Sequence, residues 1–310
     1  MVYQDLFKAE STRGTNTLDT MYKLGLLPAG AERIITPQLK YNYNEIKQIG
    51  QHYIDISEGN HPLDNQPARF IPVNGLPYYW MLGAAANPSG TLKRITPFTT
   101  SPKPSISLFN HDLNGYIPYE CKGNVLMSLD ESYEIGNALT LNCAWMGMGN
   151  GISVATPTDG GFIGSVQSPY NSYLATDAFK WNTTAYPILG LTRKTVHTMT
   201  GYMGDDGVYI EITESASPII SVWTVIFKEN TDITNIAADF TARTPRAISN
   251  KVYKAVDATK YLEYSQTNAL CYLFQQTQVQ GQPNRYVGIF VGENIQVDVE
   301  DGIAVANYGL

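Results

Sequence analysis

Hydrophobic and polar residues alternate with a period of two along much of the chain after residue 119. Alternation of this kind is typical of strands that bury one face and expose the other. In the run 294–300, Ile295, Val297 and Val299 are predicted to face one way, and the polar residues between them the other. The other alternating runs are 125–130, 139–145, 208–213, 223–227, 270–278 and 285–291. The pattern predicts an all-β fold.

Helical signals are few. The segment 77–86 reads Pro-Tyr-Tyr-Trp-Met-Leu-Gly-Ala-Ala-Ala, with a proline that the first turn of a helix tolerates. The pair Asn87-Pro88 would end this helix, and Tyr78, Leu82 and Ala85 would share one face. A second short helix is predicted near 257–265.

The chain divides into three parts by pattern. Residues 1–31 are mixed and polar, and we predict an N-terminal arm. Residues 32–155 hold a first β-rich half, with a strand at 33–38 and a long hairpin or loop at 41–74 that includes a strand-like piece at 52–56. Residues 156–310 form a second β-rich half, which either completes the same barrel or makes a second β domain. The stretch 147–190 is predicted to be a crossover or a long ordered loop.

Composition favours a protein that hides surface against neighbours. The 310 residues are 43% hydrophobic and 16% charged, and 21 are Tyr. Average soluble domains have about 25% charged residues, and tyrosine is favoured at interfaces. An ordinary β protein can show the same enrichment. The net charge is −7, and Arg193-Lys194 is the densest basic cluster, so nucleic-acid binding through phosphate contacts is not expected.

Cysteine usage and hydropathy exclude several classes. Cys121, Cys143 and Cys271 are widely spaced, which predicts buried thiols rather than a metal or redox site. Residues 1–20 do not resemble a secretion signal, and no apolar stretch reaches about 18 residues, so we expect no membrane span. Asn182-Thr-Thr matches the N-glycosylation pattern, and whether Asn182 is glycosylated stays open.

The search for catalytic chemistry finds nothing specific, and we predict that the chain is not an enzyme and uses no metal or cofactor. The four histidines, at 52, 61, 111 and 197, have no metal-ligand spacing, and no nucleophile elbow or phosphate-binding loop is present. Asp205-Asp206 is predicted to form a turn. Asp130, Glu131 and Glu134 are predicted to lie in a solvated turn, although a glycan-active enzyme would use acids such as Asp130 and Glu134.

One block of sequence carries a resemblance. It runs from the segment 75–83, Gly-Leu-Pro-Tyr-Tyr-Trp-Met-Leu-Gly, through Pro104-Ser-Ile-Ser-Leu and 119–129, Tyr-Glu-Cys-Lys-Gly-Asn-Val-Leu-Met-Ser-Leu, to a strand at 139–145. This order resembles the tail tube proteins (major tail proteins) of long-tailed viruses of bacteria and archaea, over about residues 30–150. The order Glu-Cys-Lys-Gly123 departs slightly from the family's Gly-Cys-Lys. The residues that carry the match are Gly75, Trp80, Leu82, Gly83, Pro104, Ser105, Cys121, Gly123, Ser128 and Leu129.

The resemblance implies a β-barrel or β-sandwich with one short packed helix, whose subunits form hexameric rings that stack into a tube. The loop 41–74 and the arm 1–31 would reach neighbouring subunits. The tape-measure protein and double-stranded DNA would pass through the lumen without specific binding, and tail terminator and distal tail or baseplate proteins would close the ends. The location implied is the virion tail, assembled in the host cytoplasm, and whether the tail is contractile stays open.

Two points remain as alternatives at this stage. Asp298 and Glu300 are candidates for lumen-facing acids, although an outward solvated face fits them equally well. A virion surface or receptor-binding β protein without catalytic activity is the second candidate function, favoured by the Tyr, Asn and Gly content of 147–190.

Overall fold

The computed structural model describes fifteen stretches of the chain. They are residues 3–15, 19–23, 25–26, 43–47, 54–58, 66–99, 102–112, 119–152, 156–163, 168–172, 179–203, 209–215, 218–229, 231–277 and 285–309. The predicted strand at 33–38 and the predicted turn at Asp205-Asp206 lie outside them.

Strands dominate the described residues. The first half contains β1 Tyr3–Ala9, β2 Thr20–Lys23, β3 Tyr43–Lys47, β4 Ile54–Glu58, β5 Gln66–Phe70, β6 Gly83–Ser89, β7 Leu92–Pro97, β8 Ile106–Asp112, β9 Tyr119–Glu134, β10 Thr140–Met146 and β11 Gly149–Ile152. The second half contains β12 Thr158–Asp159, β13 Tyr170–Ser172, β14 Lys180–Trp181, β15 Thr184–Ala185, β16 Ile188–Val196, β17 Met199–Met203, β18 Tyr209–Glu214, β19 Ile220–Phe227, β20 Arg246–Lys254, β21 Asp257–Thr277 and β22 Arg285–Glu300. The helices are α1 Leu76–Leu82, α2 Thr234–Ala242 and a 3₁₀ helix, Val305–Gly309. The all-β prediction is confirmed.

A central antiparallel sheet contains strands from both halves of the chain. Its order is β5-β10-β9-β16-β19-β22-β21-β20. The pairing of β9 with β16, which sets Glu131 opposite Arg193, joins the two halves directly. The two halves therefore share one sheet rather than separate domains.

The long strand β9 also belongs to a second sheet. Its first residues, 119–124, pair with β8 and β11, whereas residues 125–134 pair with β10 and β16. Strand β8 pairs with β1, and β1 with β2. The described strands of the segment predicted as an N-terminal arm are thus paired within their own chain.

No strand pairing among the described residues closes the central sheet into a barrel. A single backbone hydrogen bond, from Leu139 N to Tyr170 O at 2.7 Å, joins the start of β10 to β13. Since β13 pairs with β20 at the far end of the sheet, the sheet curls until its ends approach each other, without forming a ladder between them.

Helix α1 fills the interior. Seven residues are too few for a helix to be stable alone, but six of these seven are buried, and Trp80 packs between Phe7 and Trp145 at centroid distances of 4.7 and 5.6 Å. Burial of each large apolar side chain contributes about 1.5–3 kcal/mol. Packing, rather than helix propensity, therefore stabilises α1.

The predicted helix at 77–86 is correct only as far as Leu82. Gly83 adopts a left-handed conformation with φ of 94°, and its N–H caps the helix by donating to Tyr79 O. The three alanines that follow belong to β6, because they pair with β7. Tertiary pairing here overrides the helix propensity of alanine.

Two loop or helix predictions need correction against the described strands. The helix predicted near 257–265 is wrong, since these residues lie in β21 between β20 and β22. The stretch 147–190 holds five short strands, β11 to β15. Within 41–74, which was predicted to be a long hairpin or loop, β3 and β4 form a hairpin.

Candidate assembly surface

The ten residues that carry the resemblance have structural positions in the interior or in turns. Those that are buried are Gly75, Trp80, Leu82, Ser105, Cys121, Gly123 and Leu129. Gly83, Pro104 and Ser128 are partly buried. All three cysteines are buried thiols outside any disulfide, as predicted. These residues therefore hold the interior together, and the surface that could meet other molecules is made of different residues.

Glu10 joins two of these residues, Ser105 and Gly123, through one carboxylate. Oε2 accepts hydrogen bonds from Ser105 Oγ at 2.8 Å and from Gly14 N at 2.9 Å. Oε1 accepts from Ser107 Oγ at 2.7 Å and from Gly123 N at 2.8 Å. Gly123 has φ of 64° and lies against Met148, so a side chain would not fit there. The N-terminal segment is thereby fixed to β8 and β9.

Gly75 is the N-cap residue that precedes α1, and it is a point of close approach. A Cβ atom there would lie 2.5 Å from Tyr308 Oη and 2.8 Å from Val299. Its N–H donates to Asp301 Oδ2 at 3.1 Å, and Asp301 Oδ1 pairs with Lys93 Nζ at 2.5 Å. Because the Lys93 and Asp301 side chains are at most 1% exposed, this pair ties the C-terminal segment to the interior.

A second buried ion pair overturns a prediction. Glu131 does not lie in a solvated turn: it points from β9 into the core and accepts hydrogen bonds from Arg193 at 2.5 and 2.6 Å. Arg193 also donates to Asn250, and its guanidinium lies 3.5 Å from the ring centroid of Tyr264. Tyr78 of α1 donates to Glu131 Oε1, and burial raises the pKa of this phenol well above its usual value. The buried charge is therefore fully paired.

Asp298 and Glu300 both have cationic partners. Asp298 accepts two hydrogen bonds of 2.9 Å from Arg94. Glu300 pairs with Lys260 at 3.1 Å and accepts a hydrogen bond from Thr91 at 2.6 Å. Which way they face in an assembly stays a prediction, but their negative charge is partly neutralised within the chain.

The outer face of the central sheet exposes large apolar side chains. On β19, Trp223 and Val225 point inward, while Val222 and Ile226 on the opposite face are 37% and 38% exposed. The residues on this outer face whose exposure is comparable or greater are Val196, Ile220, Leu270 and Tyr272. The residues between them on β22, Val287, Ile289 and Val291, are partly exposed.

The strand register divides this face into a polar half and an apolar half. One row of cross-strand neighbours runs through Arg69, Asn142, Asp130, Lys194, Val222, Val291 and Leu270. The next row runs through Thr140, Ser132, Thr192, Thr224, Ile289 and Leu273. Polar residues occupy β5, β10, β9 and β16 in the first row and β10, β9 and β16 in the second, and aliphatic residues occupy β22 and β21 in both rows.

The polar half forms a groove of about 550 Å³, lined by residues that include Arg69, Asp130, Asn142 and Lys194. Asp130 Oδ2 lies 3.8 Å from Lys194 Nζ, and its Oδ1 has no hydrogen-bond partner among the described residues. Partial burial raises the pKa of Asp130, although Lys194 opposes this shift. The groove can therefore take polar groups of either sign.

The candidate catalytic residues do not converge. Asp130 and Glu134 are four residues apart on one strand, which separates their Cα atoms by about 13 Å, against roughly 5–10 Å between glycosidase carboxyl groups. His197 is buried, with Nε2 3.1 Å from Ser215 O. His52 and His61, and the side chain of His111, lie outside the description. Within the described stretches, no cluster of His, Cys, Asp and Glu could hold a metal ion, and no helix is long and apolar enough to span a membrane.

Sequence reasoning missed the apolar half of the outer face. The alternation over 223–227 puts Trp223, Val225 and Phe227 on one side of β19, and the structure buries all three. The signal for the other side was available, because Val222 and Ile226 make β19 apolar on both faces. A strand apolar on both faces is expected to be buried on both, and here the described residues cover one face only.

No protein-family model matches the chain, and no curated protein sequence matches it.

Proposed function

We propose that this chain is a structural subunit of the tail tube of a long-tailed virus, which self-assembles into stacked rings. The rings are hexameric in the family that the sequence resembles. In that role the tube is a conduit for genome delivery into the host cell, and the chain performs no catalysis. Its neighbours in the virion would be copies of itself, the tape-measure protein inside and tail terminator and baseplate proteins at the ends.

The apolar half of the outer face is the observation that carries this proposal. Soluble monomers rarely expose contiguous apolar patches beyond a few hundred Å² unless the patch binds something. Here the patch lies across four neighbouring strands, β16, β19, β22 and β21, in the middle of the central sheet. A protein that must associate to cover its largest sheet fits a structural subunit.

The β3–β4 hairpin gives independent support. It forms a two-stranded sheet of its own and pairs with no other described strand. An isolated two-stranded hairpin is marginally stable at best in water. Since the resemblance assigns this segment to contacts with a neighbouring subunit, we infer that the hairpin gains its stability in the assembly.

Electron microscopy of the purified protein tests the proposal. Negatively stained samples at high protein concentration should show rings or tubes with a fixed rotational symmetry. The protein should assemble without nucleic acid, because its densest basic cluster is Arg193-Lys194 and binding through phosphate contacts is not expected. Monodisperse monomers at every salt concentration and protein concentration would overturn the proposal.

A hairpin deletion tests the second line of support. Replacing residues 43–58 with a short Gly-Ser linker should leave the far-UV circular dichroism and the unfolding midpoint of the subunit nearly unchanged. The variant should fail to form tubes. A matched control exchanges the tip of the β20–β21 turn, Ala255-Val256, for Asn-Gly, which should assemble normally. Normal tubes from the deletion variant would contradict the role assigned to the hairpin.

The groove in the polar half supports the second candidate, a virion surface or receptor-binding protein. Its lining of Arg69, Asn142, Thr192 and Lys194 suits the hydroxyl and carboxyl groups of glycans. Binding to a glycan array by an unassembled subunit, lost in Asn142→Leu, would favour this function over the tube.

A further inference from the structure

Exposed large apolar side chains concentrate on one surface. Among the described residues, ten large hydrophobic side chains are exposed, and six of them lie on the outer face of the central sheet: Val196, Ile220, Val222, Ile226, Leu270 and Tyr272. The other four, Ile135, Tyr202, Phe240 and Val256, are scattered over separate elements. Single exposed hydrophobic residues are normal, but a contiguous set is not.

The size of the face indicates what can cover it. From β16 to β21 the apolar half has three strand spacings of about 4.8 Å, and the four outer positions of β19 span about 20 Å, so the apolar half covers about 290 Å². With the polar half as far as β10, the outer face covers about 480 Å², and side chains at its perimeter extend it toward the roughly 800 Å² that each partner buries in a standard protein interface. The occupant is therefore a protein surface rather than a small molecule.

The charges of the face limit the kind of protein. The apolar half presents no charged side chain in the rows through Val222 and Thr224, whereas the polar half places Asp130 beside Lys194. A partner surface whose charges are all positive or all negative would be repelled by either Lys194 or Asp130. A partner with mixed charges and its own apolar surface would not.

The proposed self-assembly supplies the partner. In an assembly of identical subunits, every copy of the chain carries this apolar surface and has other copies beside it. A second copy of the chain is always present in equal number, and a head-to-tail contact between copies repeats into a ring or filament.

We propose that a second copy of the chain packs against the apolar half of the outer face of each subunit. This half is formed by Val196, Ile220, Val222, Ile226, Leu270 and Tyr272. This inference rests on the proposed function as a self-assembling subunit and assigns the surface responsible for it.

A pair of matched lysine substitutions tests this surface. Val222→Lys places a charge at the centre of the face, and Val256→Lys places one on the β20–β21 turn, where the native valine is 74% exposed. In sedimentation velocity, Val256→Lys should assemble like the native protein, whereas Val222→Lys should shift the concentration for assembly at least tenfold upward. Equal assembly of both variants would overturn the proposal. Circular dichroism checks that each variant is folded.

Cysteine labelling provides a readout that does not depend on disruption. Tyr272 and Val256 are both 74% exposed, so Tyr272→Cys and Val256→Cys should react with a maleimide at similar rates in dilute subunits. The native cysteines should stay silent, because all are buried and burial raises the pKa of the nearest, Cys271, to about 12. In assembled material, the rate at position 272 should fall at least tenfold, and that at 256 should not.

The outcomes separate this inference from the function on which it rests. If the native protein forms rings or tubes and position 272 still reacts at the dilute rate, the tube stands and the assigned surface is wrong. If the native protein never assembles, both fail. If position 272 becomes protected only when another protein is added, the face belongs to that protein and the proposal is overturned.

Discussion

The two faces of the central sheet reverse the usual distribution of charge. The inner face, which lies in the core, carries the Arg193–Glu131 pair with each side chain 1% exposed. The outer face exposes Val222 and Leu270 in the row that also contains Asp130. The charged groups of this core pair are hydrogen-bonded within the chain, whereas no described residue covers the apolar side chains outside.

This difference separates what determines the fold from what determines assembly. A buried ion pair adds little net stability compared with apolar packing, but it is costly to break. It therefore fixes one arrangement of β9, β16 and α1. An exposed apolar face has the opposite property, because its contribution to free energy appears only when a partner covers it. Changes on the inner face should alter unfolding, and changes on the outer face should alter association.

The largest effect should come from breaking the inner pair. Glu131→Gln removes the negative charge and leaves Arg193 buried without a counterion, which should lower the free energy of unfolding by about 3–5 kcal/mol. Urea denaturation followed by tryptophan fluorescence measures this change, since Trp223 lies 4.5 Å from the guanidinium.

The double variant Glu131→Leu with Arg193→Met is the matched control. It removes both charges, so it should be more stable than Glu131→Gln even though Tyr78 and Asn250 lose a partner. A double variant less stable than the single one would show that the charge itself, rather than its pairing, supports this interior.

Period-two patterning predicted the strand content well, because it depends on which side of a strand is buried. The inward positions of β10 and β22, such as Leu141, Cys143 and Val297, are buried as the alternation indicates. Patterning failed where tertiary pairing decides the outcome. The alanines after Gly83 favour a helix, and a helix was also predicted near 257–265, yet adjacent strands place both segments in the sheet.

The sequence also could not show which polar residues are interior. Glu131 and Glu134 look alike in a run of acids, yet Glu131 is buried because β16 brings Arg193 opposite it, 62 residues away along the chain. Glu10 similarly gains its partners from β8 and β9. Pairs so distant along the chain leave no local signal.

A buried lysine whose amine pairs with no carboxylate of the described residues should make stability depend on pH. Burial lowers the pKa of Lys103 to about 7, with Glu214 raising it and Arg13 lowering it. Its Nζ donates to Leu126 O at 2.7 Å. Unfolded Lys103 keeps its proton up to about pH 10.4, so the unfolded state binds more protons between these values. Stability should therefore rise from pH 7 to pH 9 by about 1.4 kcal/mol per pH unit.

Comparison with Lys103→Met isolates this contribution, since burial also lowers the pKa of Lys254, to about 8, in the same direction. Above pH 7, the slope of unfolding free energy against pH should be shallower in the variant. Below pH 6, the curves of unfolding free energy against pH should be parallel for the two proteins. Identical slopes above pH 7 would show that Lys103 does not titrate in this range.

A smaller effect should come from the junction between α1 and β6. Gly83→Ala forces a side chain into a left-handed conformation and sets its Cβ 3.0 Å from Phe98. Strain of this kind costs about 1–3 kcal/mol of unfolding free energy. Because Gly83 lies away from the outer face, the assembly of the folded subunits should not change. The control Gly90→Ala also has positive φ, but no atom lies within 4 Å of its Cβ. A loss equal to that of Gly90→Ala would show that packing against Phe98 contributes nothing.

The smallest effect should come from an ion pair at the exposed end of β22. Asp298→Asn removes the partner of Arg94, whose side chain is 43% exposed. Exposed pairs contribute about 0.2–1 kcal/mol because water and salt screen them, so this variant should lose that much and no more, and the loss should shrink in 1 M salt. Arg94→Gln should lose a similar amount if the pair acts as a unit. A loss above about 3 kcal/mol would place this pair with the buried ones and would blur the distinction between the two faces on which the assembly proposal depends.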